Sequence, residues 1–290
     1  MNFFNSKESL GMVFAIFAYF SFAILDAFQK TAVLYHSIFQ LLLAKYIFVL
    51  LLSFFVSFKK KNYFFYKSKK IKLQIIRSIL SILESGCFVL AFRYLPLADV
   101  HSIGSLTPVI VVILSVIILR EHVSYKTWIA IFIGLVGVLI IMRPGLSIFD
   151  PKSLIPLLAS FFLGLYQVLT RQVSQYDSSE TLLFYNSLIG IFFTSILSYF
   201  YWQQLNSSSF LFFLLVGIFF SLGLYLQIIA LSKARASIIQ PFHYTLIFWS
   251  IIFGFMFYDH LPDFITIIGA IVIVISGIFI TNQKLILEKK

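Results

Sequence analysis

Apolar runs of about 20 residues recur along the sequence from residue 10 to residue 282. A helix needs about 20 such residues to cross the hydrocarbon core of a bilayer. The connections between the runs are mostly short, so they leave no room for a large soluble domain. Only 11% of the residues are charged and 60% are hydrophobic, whereas soluble domains are about a quarter charged. Lipid is therefore the expected solvent.

The runs predict helices rather than open strands, because every backbone polar group in lipid must be paired within the protein. The predicted fold is an all-α integral membrane protein with ten transmembrane helices. The first run is interpreted as a span and not as a cleaved signal, since no small-residue cleavage site follows it. The predicted spans are 10–30, 37–58, 71–93, 97–119, 126–143, 152–174, 180–202, 208–231, 236–258 and 262–282.

The positive charges lie mainly in the loops on one side of these spans. Sixteen of the 22 Lys and Arg residues fall on the side of the N-terminus, seven of them lysines within 59–72, and four fall on the other side. Because Lys and Arg accumulate in cytoplasmic loops, both termini are predicted to be cytoplasmic. The net charge of +11 is explained by this orientation, so no nucleic-acid partner is predicted.

An internal repeat divides the chain into two halves. "FSFAILDAFQK" (20–30) aligns with "FLGLYQVLTR" (162–171) at an offset of 141, and "REHV" (120–123) aligns with "YDHL" (258–261) at an offset of 138. We therefore predict two five-helix repeats, 1–145 and 146–290. An odd number of spans per repeat gives the halves opposite topology. Inverted repeats are typical of secondary transporters that bind substrate near the membrane midplane.

These repeats resemble a known family. Residues 91–145, with "RYLPLAD" at 93–99, and residues 230–280 are similar to the EamA repeat of the drug/metabolite transporter superfamily. The Asp and Lys at the end of span 1 and "TLLFY" at 181–185 are similar to bacterial carriers described as S-adenosylmethionine uptake proteins. The resemblance implies a bacterial inner-membrane location and a substrate such as an amino acid, a nucleoside, a vitamin or S-adenosylmethionine. Lys45 departs from the pattern, since this subgroup usually has Arg there.

Polar residues within the spans are the candidate substrate-binding residues, because a charge near the bilayer centre costs roughly 2.5–3.5 kcal/mol and persists when it is paired or lines water. Glu84 is the deepest. It is interpreted either as a buried carboxyl bonded to a neighbouring helix or as a contact for an amine or a coupling proton. Aromatic residues can stack on a flat ligand, although Phe and Tyr are common throughout the chain. The predicted set is Asp26, Glu84, His101, Ser105, Tyr166, Gln167, Tyr225, Gln227, Gln240, His243 and Tyr244.

A second set is predicted to have structural or gating roles. Asp26 and Lys30 have the spacing of a helix salt bridge, and Lys45 is an alternative partner for Asp26. Arg77 is about 10.5 Å from Glu84 along one helix, too far for a direct pair. Prolines interrupt spans 4 and 9, which are equivalent in the two halves, and Lys30 aligns with Arg171. The predicted set is Lys30, Lys45, Arg77, Pro108, Arg171 and Pro241.

The function predicted from these features is secondary transport of a small polar organic metabolite by alternating access, with no cofactor and no metal. Protons are candidates for the coupling ion. Import, export and riboflavin transport stay open, and spans 5 and 10, which have no ionisable residue, are candidates for a homodimer contact. An enzyme is disfavoured, since HExxH and GxSxG are absent, and a channel is the other alternative. Cys87 is the only cysteine, so no internal disulfide forms.

Overall fold

The computed structural model describes residues 7–142, 151–205 and 207–259 and, beyond them, positions 264–265, 267–269, 271–272 and 275–276. Within these residues the secondary structure is helical throughout and contains no strand. A short 3₁₀ turn, Pro151–Ser153, precedes α7. The α-helices are α1 (Lys7–Tyr35), α2 (Ile38–Lys59), α3 (Ile71–Tyr94), α4 (Leu97–Gly104), α5 (Thr107–Leu119), α6 (Tyr125–Met142), α7 (Leu154–Val173), α8 (Ser179–Phe200), α9 (Ser207–Lys233), α10 (Ala236–His243) and α11 (Thr245–Tyr258).

Seven segments of the described chain are long and apolar enough to cross a membrane. The shorter apolar helices are α5 and a part of α6, Trp128–Gly137. The tenth predicted span, 262–282, and the predicted repeat boundary at 145/146 lie largely or wholly outside the described residues. Ten spans therefore stay a prediction. The seven segments are Lys7–Tyr35, Ile38–Lys59, Ile71–Tyr94, Pro151–Val173, Ser179–Phe200, Ser209–Lys233 and Ala236–Tyr258.

Two predicted spans are broken into two helices each. The first breaks between α4 and α5 and the second between α10 and α11, and the second helix begins at Thr107 in one case and at Thr245 in the other. The two breaks lie at equivalent positions of the two spans, as predicted, but the two prolines lie at different positions relative to the breaks. Pro108 lies in the first turn of α5, where its missing N–H costs no hydrogen bond, whereas Pro241 lies before the break, inside α10.

Helices of the two halves pack against each other throughout the bundle. Helix α1 lies along α9, α3 lies along α7, and α2 lies along α8. Large apolar side chains cover the outside, such as Phe17, Phe55 and Phe192, each more than half exposed. This surface suits lipid, while the polar residues described below face the interior.

The bundle has two ends, which we name by their position in the chain. The N-terminal end contains the starts of α1, α3, α8 and α10 and the ends of α2, α5, α7 and α9. The far end contains the starts of α2, α4, α7 and α9 and the ends of α1, α3, α8 and α11. Contacts between distant segments agree with this assignment: Glu8 pairs with Arg235 at the N-terminal end, and Thr31 contacts Tyr258 at the far end.

Candidate functional site

A cavity of about 70 Å³ lies between the helices and is lined by charged and aromatic side chains. Helices α1, α2, α3, α4, α7, α9, α10 and α11 contribute to it. Five of the predicted substrate-binding residues line this cavity: Asp26, Glu84, His101, Gln227 and His243. The formal charges in the lining are two carboxylates and one ammonium group, from Lys45. Such a cavity offers contacts for a solute that has both polar and apolar parts.

Asp26 is held by partners on both sides. Its Oδ2 lies 3.1 Å from His101 Nε2, and its Oδ1 accepts a 2.6 Å hydrogen bond from Gln29 Nε2. Gln29, three residues further along α1, lies on the same helix face and also lines the cavity. Sequence reasoning missed Gln29, although its spacing from Asp26 could have indicated it.

Lys45 lines the cavity and is not paired with Asp26. Its Nζ donates a 3.0 Å hydrogen bond to Ser85 Oγ and lies 4.9 Å from the centre of the Phe220 ring. Among the described residues it makes no ion pair with Asp26 within 4 Å, so the predicted pairing of spans 1 and 2 is not seen. Lys45 is almost fully buried, and its amino group lies close to the carboxyl groups of Glu84 and Asp26.

A layer of buried polar groups lies behind the cavity wall. Gln240 Nε2 donates to Gln167 Oε1 at 2.8 Å, and the Tyr19 hydroxyl lies close to Gln167 and Gln227. The Tyr19 ring stands edge-on to His243 with centroids 5.2 Å apart. These contacts fix the side chains that face the cavity, and they place Gln167 and Gln240 in the supporting layer rather than in the lining.

Four further predicted substrate-binding residues lie outside the lining. Ser105 is in the turn between α4 and α5, where its backbone N–H donates to His101 O. Tyr244 is buried at the other break, directly after α10. Tyr225 is half-buried, with Lys60 Nζ 5.9 Å from its ring centre. Tyr166 lies nearer the N-terminal end and contacts a buried arginine.

That arginine is Arg77, which is completely buried and joins three helices. Its guanidinium donates to Tyr166 Oη (3.1 Å) and to Thr170 Oγ1 (3.4 Å) on α7. It also donates to Leu182 O on α8 (2.6 Å) and to Gln74 Oε1 on its own helix (3.1 Å). Glu84 is not among these partners, as the spacing along α3 predicted.

At the far end, Lys30 closes the C-terminus of a neighbouring helix. Its Nζ donates to Leu95 O at 2.9 Å and to Phe92 O at 3.3 Å, the otherwise unpaired carbonyl groups at the end of α3. The predicted salt bridge between Asp26 and Lys30 is therefore wrong in this structure, because each side chain has a different partner on α3 or α4 or within α1.

The N-terminal end repeats this arrangement with Arg171. Its Nη1 donates to Leu231 O at 2.7 Å and to Ser232 O at 3.2 Å, at the end of α9. Lys30 and Arg171 align in the sequence repeat, and the helices whose ends they bind, α3 and α9, occupy corresponding places in the two halves. We call each basic residue with its two carbonyl groups a helix-end clamp. One clamp lies at each end of the bundle.

We expect Arg171→Met to lower the melting temperature of the purified protein by about 3 °C, because charge-assisted hydrogen bonds to two carbonyl groups are lost from a partly buried site. Arg93→Met is the control, since Arg93 is an exposed arginine at the far end. Equal melting temperatures for the two variants would show that the Arg171 clamp does not stabilise the bundle.

Two segments of the chain match one family profile. The sequence profile described as the EamA-like transporter family matches residues 9–143 and again residues 152–282. The chain belongs to the EamA-like transporter family. This EamA-like protein is accordingly a multi-pass membrane transporter.

Two bacterial relatives of this EamA-like protein have named activities. It is 27% identical to a riboflavin transporter of Vibrio cholerae, over 72% of this chain and 71% of that protein. It is 24% identical to an S-adenosylmethionine uptake transporter of Rickettsia bellii, over 83% and 82% of the two chains. A crystal structure of a protein 14% identical to it matches 97% of this chain and 99% of that chain with a TM-score of 0.80. That likeness shows the fold.

Proposed function

We propose that this EamA-like protein is a secondary transporter that moves a small polar organic metabolite across the bacterial inner membrane by alternating access. The observation that carries the proposal is the central cavity, in which Asp26, Glu84 and Lys45 place three charged groups among aromatic rings. Charged groups inside a membrane protein are costly and typically mark a solute pathway.

The lining favours a solute with separated positive and negative groups. The carboxyl groups of Asp26 and Glu84 can bind an ammonium or sulfonium group, and the ammonium group of Lys45 can bind a carboxylate. Rings of Phe22, Phe88 and Phe220 also line the cavity and can hold an apolar or flat portion. Amino acids, nucleosides bearing an amino-acid group and S-adenosylmethionine have this chemistry, and the named relatives support a metabolite of similar size.

The small volume of the cavity supports a transport cycle in which the helices move to admit the solute. A volume of about 70 Å³ holds a few water molecules, whereas pockets for organic ligands measure roughly 300–1,000 Å³. The bundle must therefore expand to bind such a solute. The helix-end clamps connect α1 to α3 at the far end and α7 to α9 at the N-terminal end. These helices would separate when the corresponding end of the bundle opens. The loop charges support a cytoplasmic N-terminal end.

The proposal is tested by a thermal-shift screen of the purified protein against metabolites, followed by counterflow of each stabilising compound in proteoliposomes. We expect at least one zwitterionic or cationic metabolite to stabilise the protein and to exchange saturably. A linear, non-saturable flux would favour a channel. The absence of exchange for every stabilising compound would contradict transport.

We expect Glu84→Gln to remove the response of transport to an imposed pH gradient while counterflow at equal pH persists. The reason is that Glu84 is the carboxyl on α3 that faces Lys45, Asp26 and Tyr46, and the amide cannot exchange a proton. Transport by the unchanged protein that is independent of pH, together with an active Glu84→Gln variant, would refute proton coupling at Glu84. His101→Gln is measured in the same way, because His101 is a second titratable side chain beside Asp26.

A further inference from the structure

A recess of about 530 Å³ lies at the N-terminal end, separate from the central cavity. Three arginines from different parts of the chain line it: Arg120 after α5, Arg171 in α7 and Arg235 before α10. Guanidinium groups bind carboxylate and phosphate oxygens through paired N–H donors. Three of them around one recess thus form a surface suited to an anion.

A carboxylate of the chain already occupies the wall of this recess. Glu121 Oε1 accepts from the Ala236 backbone N–H at 3.1 Å. Its Oε2 accepts from the Ser237 backbone N–H at 3.3 Å and from Ser237 Oγ at 2.8 Å. Arg171 Nε lies 3.9 Å from Glu121 Oε1. Two backbone amides, a hydroxyl and a guanidinium group therefore surround one carboxylate.

The charges of the recess are not balanced. Arg171 faces Glu121, and Arg235 Nε lies 3.3 Å from Glu8 Oε1. Arg120 makes no ion pair within the part of the chain that the structure describes, and it lines the same recess as Glu121. A second carboxylate can therefore approach the site beside a guanidinium group that has no carboxylate of its own.

We propose that this recess is a carboxylate-binding site in which Glu121 is the resident ligand. A free carboxylate that is drawn in by Arg120 competes with Glu121 for Ser237 and Arg171. Displacement of Glu121 breaks its hydrogen bonds to Ala236 and Ser237, which connect the end of α5 to the start of α10. The N-terminal end of the bundle then becomes less stable. The natural competitor is the carboxylate of an arriving solute, and this part of the proposal rests on the proposed function. The binding site itself does not depend on that function.

Chemical rescue of a variant without the resident carboxylate tests the proposal. We expect Glu121→Ala to lower the melting temperature of the full-length purified protein by several degrees in potassium chloride. In potassium acetate at the same ionic strength, at least half of this loss should return, in a saturable manner. The double variant Glu121→Ala, Arg120→Gln should need at least about three times as much acetate for half of the recovery. If Glu121→Ala does not fold, Glu121→Gln is measured in the same way.

Glu8→Ala is the matched control, since it removes a carboxylate that faces Arg235 at the same end of the bundle. Acetate should restore Glu121→Ala much more than Glu8→Ala. Equal recovery of both variants, or no difference between acetate and chloride for Glu121→Ala, would overturn the site. Because the readout is thermal stability, rescue by acetate without counterflow of any metabolite would sustain the site and refute the transport proposal.

Discussion

Asp26→Asn is expected to reduce transport about 100-fold, measured as initial counterflow of a metabolite that stabilises the purified protein. The variant keeps the size of the side chain but loses the charge that lies 3.1 Å from His101 and faces the central cavity. A 100-fold loss corresponds to roughly 2.7 kcal/mol, within the range for removal of one member of a desolvated charged contact. The amide can still bond to Gln29, so the fold should persist.

Asp259→Asn is the matched control for this experiment. Asp259 is exposed and ends α11 in a left-handed backbone conformation, with a φ of 53°. Asn adopts that conformation as readily as Asp. We expect the control to transport at the rate of the unchanged protein. Full activity of Asp26→Asn would show that the charge at Asp26 is not used in solute binding.

Gly190→Ala is expected to lower the melting temperature by about 5 °C or more, the largest loss of stability that we predict for a single methyl group. A Cβ atom at Gly190 would overlap the ring of Tyr46, which is completely buried between α2 and α8. The ring cannot move into solvent or lipid, so the two helices must separate. Overpacking of this kind typically costs about 1–3 kcal/mol.

Gly254→Ala adds the same methyl group to α11 at a position where it meets no neighbouring side chain among the described residues. Among the described residues, no atom outside the local backbone of α11 lies within 4 Å of a Cβ built at this glycine. Alanine stabilises a helix by up to about 1 kcal/mol relative to glycine, and we therefore expect an unchanged or slightly higher melting temperature. A similar loss for both variants would indicate that flexibility of the helix, rather than the space beside Tyr46, determines the effect.

Hydrophobic runs and loop charges predict the helical membrane class because lipid imposes them on every span. They do not show which side chains meet across helices. Asp26 and Lys30 have an ideal spacing for a salt bridge, yet Lys30 binds carbonyl groups more than 60 residues away. A spacing rule covers contacts within one helix, whereas the half-buried Lys30 finds its acceptors on a neighbouring helix. The open carbonyl groups at the end of α3 supply them.

The candidate site shows the same limit. At the repeat offset of 138, Thr107 corresponds to Thr245, and each residue begins the second helix of a broken span. Aromatic residue type alone did not separate Tyr19, which lines the cavity, from Tyr225, which lies outside the lining with Lys60 Nζ near its ring. With 36 Phe and 15 Tyr in the chain, rings occupy every environment, and only the rotation of each helix decides which of them face inwards.

The unequal composition of the two helix-end clamps has an energetic consequence for the proposed alternating-access cycle. At the far end the clamp consists of Lys30 and two carbonyl groups, whereas at the N-terminal end Arg171 is joined by Glu121 and its three hydrogen bonds. A difference of about 1.4 kcal/mol between the two fastenings changes the ratio of the two orientations tenfold. The empty carrier would then rest with its binding site facing the far side, so that the asymmetry of a few polar contacts sets the side from which it first accepts a solute.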